Sequence, residues 1–205
     1  MPSMRDAHAD AHADAHADAH ADARADARAD VPDRPDRPGT AGADAALGAG
    51  LPKRERYEEL RSRVSGLLEG DALADLANVA AAVYEWLPDL NWAGFYLRRG
   101  DELVLGPFQG RPACVRIAVG SGVCGTAVAT GEAQVVRDVH AFPGHIACDP
   151  RSRSEIVIPV RDVRGTIVAV LDLDSDRAAT FDRSDRDGLE TVVDAFASRI
   201  DWTRV

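Results

Sequence analysis

Apolar positions recur every three or four residues over two stretches in the first half of the chain. Residues 54–68 carry Tyr57, Leu60, Val64, Leu67 and Leu68, and residues 72–86 carry Leu73, Leu76, Val79, Ala80, Val83 and Trp86. Each stripe predicts one face of an amphipathic helix. Gly70-Asp71 separates the two, with Asp71 as an N-cap, and Leu87-Pro88-Asp89 stops the second. The period then drops to two. Residues 91–98 and 102–106 predict a hairpin turning at Arg99-Gly100-Asp101. In its first strand Trp92, Gly94 and Tyr96 share one face, and Ala93, Phe95 and Leu97 share the other. Both faces are apolar, so this strand is expected to be covered on each side.

Past a loop at 107–112, residues 113–119 predict a third strand containing Cys114. A Gly-rich turn from Gly120 opens a short helix that ends at Gly131, and residues 134–136 form a short strand. Residues 155–161 and 166–173 predict another hairpin, turning at Asp162-Val163-Arg164-Gly165. A last helix buries Leu189, Val192, Val193, Phe196 and Ile200. The order helix, helix, strands, short helix, strands, helix predicts an α+β domain, a central antiparallel β-sheet flanked by helices.

No such pattern exists before Lys53. Asp recurs at 6, 10, 14, 18, 22, 26 and 30, with His at 8, 12, 16 and 20 and Ala between. Every i,i+4 Asp pair repels, and no apolar face could dock a helix. Residues 31–52 are rich in Pro, Gly and Ala. Residues 1–52 are therefore expected to be a disordered tail and linker, and residues 53–205 the folded domain. The four histidines could bind a transition metal if helical; an expanded repeat without a ligand is the simpler account.

Charge removes several function classes. The net charge is −10, of which residues 1–50 contribute −5 (ten Asp, five Arg), and the remainder carries 24 acids against 19 bases. No basic stripe suits a nucleic-acid backbone or an anionic membrane. No apolar run approaches a membrane span, and the start lacks the pattern of a signal peptide. Three cysteines, an odd count, fit a cytoplasmic protein whose thiols do chemistry better than a secreted disulfide scaffold.

The candidate chemistry centres on residues 144–155, where Cys148 lies among His145, Arg151 and Arg153 in a loop punctuated by Gly144 and Pro150. Cations near a thiol favour thiolate, although a free buried cysteine is commonly inert. Cys114, Cys124 and Cys148 with His140 or His145 could make a zinc site, but paired C-x-x-C spacing is missing, and no metal or other cofactor is expected. The redox alternative is a thiolate oxidised to sulfenic acid that condenses with a second thiol. Glu155, Asp172 and Asp174 read as solvated carboxylates or, since Asp172 and Asp174 close an apolar strand on one face, as a site for an ammonium group and a source of a proton. Trp92 and Tyr96 read as core or as a pocket wall. Gly120, Gly122 and Gly125 match G-x-G-x-x-G, but the neighbouring hairpins do not suit a dinucleotide fold. Free amides at that helix start could instead hold a carboxylate.

Several motifs together resemble one family. Asn91-Trp92-Ala93-Gly94-Phe95-Tyr96, Leu105-Gly106-Pro107-Phe108-Gln109-Gly110, Ala113-Cys114-Val115-Arg116-Ile117, Gly122-Val123-Cys124-Gly125-Thr126-Ala127, Gly144-His145-Ile146-Ala147-Cys148-Asp149, Ser154-Glu155-Ile156-Val157 and Val170-Leu171-Asp172-Leu173-Asp174-Ser175 are similar to the free methionine-(R)-sulfoxide reductases, single GAF domains. The match runs over residues 57–203 and leaves out the tail; only residues 161–165 depart from it, by about one extra residue in a turn. The resemblance implies a GAF domain with a closed pocket on one side of the sheet. It implies reduction of free L-methionine (R)-sulfoxide, with Cys148 as nucleophile, Cys114 as resolving cysteine and Cys124 as a secondary one. Glu155, Asp172 and Asp174 would hold the ammonium and the sulfoxide oxygen, and Trp92 and Tyr96 would pack on the S-methyl group. Reduced thioredoxin would be the reductant and a homodimer the assembly. The rival expectation is a ligand- or redox-sensing GAF module without turnover.

Overall fold

The computed structural model describes residues 46–146 and 148–205; the His repeat and most of the expected linker lie outside them. The elements in chain order are α1 (Lys53–Leu67), α2 (Ala72–Trp86), β1 (Trp92–Arg99), β2 (Glu102–Gly110), β3 (Arg116–Ala118), α3 (Gly122–Thr130), β4 (Gln134–Val136), a 3-10 turn (Val139–Ala141), β5 (Ser154–Arg161), β6 (Ile167–Ser175) and α4 (Arg183–Ala197). The strands form one six-stranded sheet in the order β3-β2-β1-β6-β5-β4, and every neighbouring pair is antiparallel.

The two long central strands divide the core into two layers. On one face Ala93, Phe95, Leu97, Ile156, Ile158, Val160, Ala169, Leu171 and Leu173 pack against Leu60, Val64, Leu76, Val83, Leu189 and Phe196 of α1, α2 and α4. On the other face Trp92, Tyr96, Val157 and Val170 meet Val123, Cys124, Ala127 and Val128 of α3 and the flank at Val136 and Val139. β1 is covered on both sides, as its two apolar faces require.

Caps fix the helix starts. Asp71 accepts from the amide of Ala74, and Asp182 and Asp185 form a reciprocal capping box at α4. Buried Asp185 also accepts from the Tyr57 hydroxyl at 2.9 Å and pairs with Lys53 at 2.6 Å, tying α1 to α4. Ahead of Lys53, the amides of Leu47 and Gly48 donate to the carbonyls of Glu85 and Trp86.

Two differences from the sequence reading bear on the site. β2 runs to Gly110 and not Gly106, with a register shift opposite Gly94/Tyr96 that falls at Gly106-Pro107. Pro107 is tolerated because β3 covers only Glu102–Val104, so beyond that point β2 is an edge. Second, the strand expected over 113–119 shrinks to Arg116–Ala118, and Cys114 lies in the connection before it. The connection runs past the pocket at Arg111, Pro112 and Ala113 and keeps one bond to the sheet, from the Leu105 amide to the Val115 carbonyl. The G-x-G-x-x-G segment lies between antiparallel strands, so the parallel βαβ unit of a dinucleotide site is absent. Gly125 serves packing: a Cβ there would overlap the Ala118 carbonyl.

Candidate active site

The pocket follows from strand parity and register. On β6, Asp172 and Asp174 point to the α3 side, opposite Leu171 and Leu173. Register sets Asp174 between Glu155 of β5 and Trp92 of β1, and Asp172 between Val157 and Gly94. Directly opposed residues hold their Cβ atoms about 5 Å apart, so three carboxylates converge. Gly94 lets Phe108 and Trp92 close in over the strand beside Asp172. A Cβ at that position would overlap Phe108 and come within 2.8 Å of the Trp92 ring.

Aromatic rings make one wall. Trp92 stacks on Phe108 at 5.4 Å and on Tyr96 at 5.9 Å between centroids. Trp92 Nε1 donates to the Arg111 carbonyl at 3.1 Å, and the Tyr96 hydroxyl donates to the Cys114 carbonyl at 3.0 Å. Both bonds hold the 111–115 connection over the pocket. There Cys114 and Cys148 are joined in a disulfide, with their Cα atoms 5.4 Å apart. Trp92, Tyr96, Cys124, Cys148, Glu155, Asp172 and Asp174 all line the same cavity, together with Gly122 and Val123 at the start of α3. Its volume of about 40 Å³ leaves room for a few waters in this closed state.

Burial governs the titration of the acids. It pushes Glu155 well above the usual carboxylate range, and the charges of Asp172 and Asp174 push it further. Asp174 rises for the same reason, burial first and then the Asp172 charge, against a bond from Ser152. Burial raises Asp172 to about 7, while bonds from Cys124 and Glu155 hold it down. Burial thus favours the protonated form of each, and Glu155 and Asp172 titrate as one coupled pair. Cys124 is buried and its thiol is pushed well up by burial and by the neighbouring Asp172 and Glu155, so it stays protonated at neutral pH.

The cations expected to activate Cys148 are arranged differently. Burial would raise Asp149, but its bonds from Arg151 more than offset that and hold it below its ordinary value, with Nη2 of Arg151 at 2.8 Å from Oδ2. His145 is lowered by burial and by His140, so it is neutral near pH 7. Arg153 points outward. The zinc set drawn from three cysteines and a histidine is not available in this state, because two of the thiols are bonded to each other.

Polar residues without an assigned role complete the loop. Asn91 Nδ2 donates to Ser152 Oγ at 3.0 Å and to Asp149 Oδ2 at 3.3 Å, and Ser152 in turn bonds Asp174. This chain links the end of β1, the Cys148 loop and the acids. A polar residue just ahead of a fully apolar strand is the one hint of it in the sequence.

The geometry has counterparts in known proteins. The GAF domain pattern matches residues 74–201. The free methionine-R-sulfoxide reductase of Escherichia coli is 53% identical over 143 residues, 69% of this chain and 86% of that protein. This chain belongs to the free methionine-R-sulfoxide reductase family of GAF domains. The structure of a free methionine-R-sulfoxide reductase from Neisseria meningitidis in complex with its substrate superposes with a TM-score of 0.72 at 42% identity, covering 79% of this chain and 98% of that one. A putative GAF sensor protein from Burkholderia vietnamiensis also gives a TM-score of 0.72, at 53% identity, over 75% of this chain and 98% of that one. The expected antiparallel GAF fold is the fold observed. Among the described residues no helix is long and apolar enough to cross a membrane.

Proposed function

We propose that this chain reduces free L-methionine (R)-sulfoxide to methionine through a thiol–disulfide cycle. What carries the reading is the Cys114–Cys148 bond at the mouth of a cavity lined by Glu155, Asp172 and Asp174. In the first step the Cys148 thiolate attacks the sulfoxide sulfur, and Glu155, which burial holds toward its protonated form, gives its proton to the oxygen. The S–O bond breaks, methionine leaves, and the oxygen passes to Cys148 as sulfenic acid. Cys114 then displaces water from that sulfenic acid and closes the disulfide. Reduced thioredoxin returns both thiols by exchange. Cys124 stays a protonated thiol in this scheme and acts as a secondary reductant.

Trp92, Tyr96 and Phe108 supply an apolar wall for the S-methyl group, and Asp172 and Asp174 face the ammonium. A site that surrounds both charged ends of a free amino acid rejects peptides, since a peptide would leave those buried groups without partners. The cycle calls for a reducing compartment, which places the protein in the cytoplasm. The assembly in this reading is a homodimer, and the catalytic domain spans residues 53–205.

A panel of free R, free S and peptide-bound sulfoxides, assayed with thioredoxin as reductant, tests the proposal. Only the free R epimer is expected to be consumed. Cys148→Ser is expected to fall to background, and Cys114→Ser to complete one turnover and stall. No turnover by the wild type under reductant favours the sensing module, and wild-type rates in Cys148→Ser refute the assigned roles.

A further inference from the structure

Closing the Cys114–Cys148 bond withdraws two thiols from coordination chemistry and leaves Cys124 facing two carboxylates. Cys124 Sγ, a Glu155 oxygen and an Asp172 oxygen lie within 4.8 Å of one another, and all three residues are buried. The Cys124 Sγ to Glu155 Oε1 separation is 3.9 Å. Asp172 is only 5% exposed, and its Oδ1 has no hydrogen-bond partner. Buried carboxylate oxygens are ordinarily satisfied, so an unpartnered one lining a cavity points to a missing ligand.

We infer that Cys124, Glu155 and Asp172 form a site for a zinc-class divalent cation, which competes with the sulfoxide substrate and inhibits the enzyme. Only the identity of the displaced substrate rests on the proposed function. Binding releases the thiol and carboxyl protons to solvent; one thiolate and two carboxylates then form a three-ligand zinc set, and the cavity leaves a fourth position open to water. Zinc bond lengths place tetrahedral ligand atoms roughly 3.3–3.8 Å apart. The observed spacing reaches that range by contraction of about 1 Å, within the freedom of the Glu155 side chain. The donors stand on three separate elements, α3, β5 and β6, so the site is held by the fold and not by one loop. A hard cation such as magnesium or calcium suits it poorly: such ions take six or more oxygens and gain little from a thiolate. The cation would occupy the place of the substrate ammonium, with the same sign of charge and the same acids around it.

The test uses the full chain with the Cys114–Cys148 bond closed, titrated with zinc and, for a spectroscopic signal, with cobalt(II). Cys124→Ser and Asp172→Asn in the same full chain carry the same His repeat, so any ion held there cancels in the comparison. The wild type is expected to bind one ion more than Cys124→Ser. Its cobalt complex shows a thiolate-to-metal charge-transfer band that Cys124→Ser lacks, and Asp172→Asn binds the ion at least tenfold more weakly. Glu155→Gln takes the place of Cys124→Ser should that variant not fold. With the reduced enzyme, zinc raises the apparent KM for the sulfoxide and leaves kcat unchanged. Equal stoichiometry in wild type and variants, a wild-type cobalt complex without the band, or an unchanged KM at zinc concentrations that fill the site would each overturn the inference. Stoichiometry and spectrum require no turnover, so they decide the site even if the sulfoxide is not reduced.

Discussion

Along β6, Ala169, Leu171 and Leu173 point to the three-helix side, while Val170, Asp172 and Asp174 point to the α3 side. The same backbone thus builds two faces with opposite tolerances. The helical face is closed by long buried side chains, Phe95 against Phe196 edge to face at 5.6 Å among them. The α3 face keeps a cavity and gathers carboxylates that burial drives toward their neutral forms. One face contributes stability through apolar burial. The other gives up part of that contribution to keep ionisable groups where a reacting molecule would meet them.

Substitutions on each face sharpen the contrast. Glu155→Gln keeps the shape of the protonated acid and removes its proton, so kcat is expected to fall by about 100- to 10,000-fold while the unfolding midpoint holds. Steady-state kinetics paired with thermal denaturation read this directly, and a matching loss of stability would refute it. Phe196→Ala should behave in the opposite way. It opens a cavity in the helical layer and costs about 3–5 kcal/mol of stability, while kcat per folded molecule at low temperature stays near the wild-type value.

The third contrast is in pH. A carboxyl whose folded pKa exceeds its unfolded one binds more protons when folded, so its contribution to stability declines as pH rises between the two values. For Asp172 that window runs from the ordinary 3.8 to about 7. Chemical denaturation across this range should show wild-type stability falling with pH more steeply than that of Asp172→Asn. Equal slopes would place the burial cost elsewhere. Smallest is Gly94→Ala, where the new methyl group overlaps Phe108; overpacking of this kind costs about 1–3 kcal/mol. A raised KM should accompany the loss as the Trp92–Phe108 wall shifts.

Legibility in the sequence tracked the range of the interaction that decides each feature. Period-two alternation assigns Trp92, Gly94 and Tyr96 to one face because that needs only local geometry. The same alternation misleads at Ala113-Cys114-Val115-Arg116-Ile117, which reads as strand throughout. The ladder covers only Glu102–Val104, with one further bond from the Leu105 amide to the Val115 carbonyl, and Tyr96, far off in sequence, takes the Cys114 carbonyl. Asn91 gave one hint, a polar residue just ahead of an apolar strand, and Ser152 none, since their value lies in spanning β1 and the Cys148 loop.

Sequence alone determined which residues can react and which strand face each occupies, because side-chain chemistry and the pleat are local properties. It also carried the motifs that mark the family. Tertiary structure decided the rest: the register that sets Glu155 against Asp174, the crossing connection that joins Cys114 to Cys148, and the burial that drives Glu155 and Asp172 toward their neutral forms. Those depend on the distance between segments far apart in the chain and on the exclusion of water. Neither is fixed until the sheet has closed between its two layers.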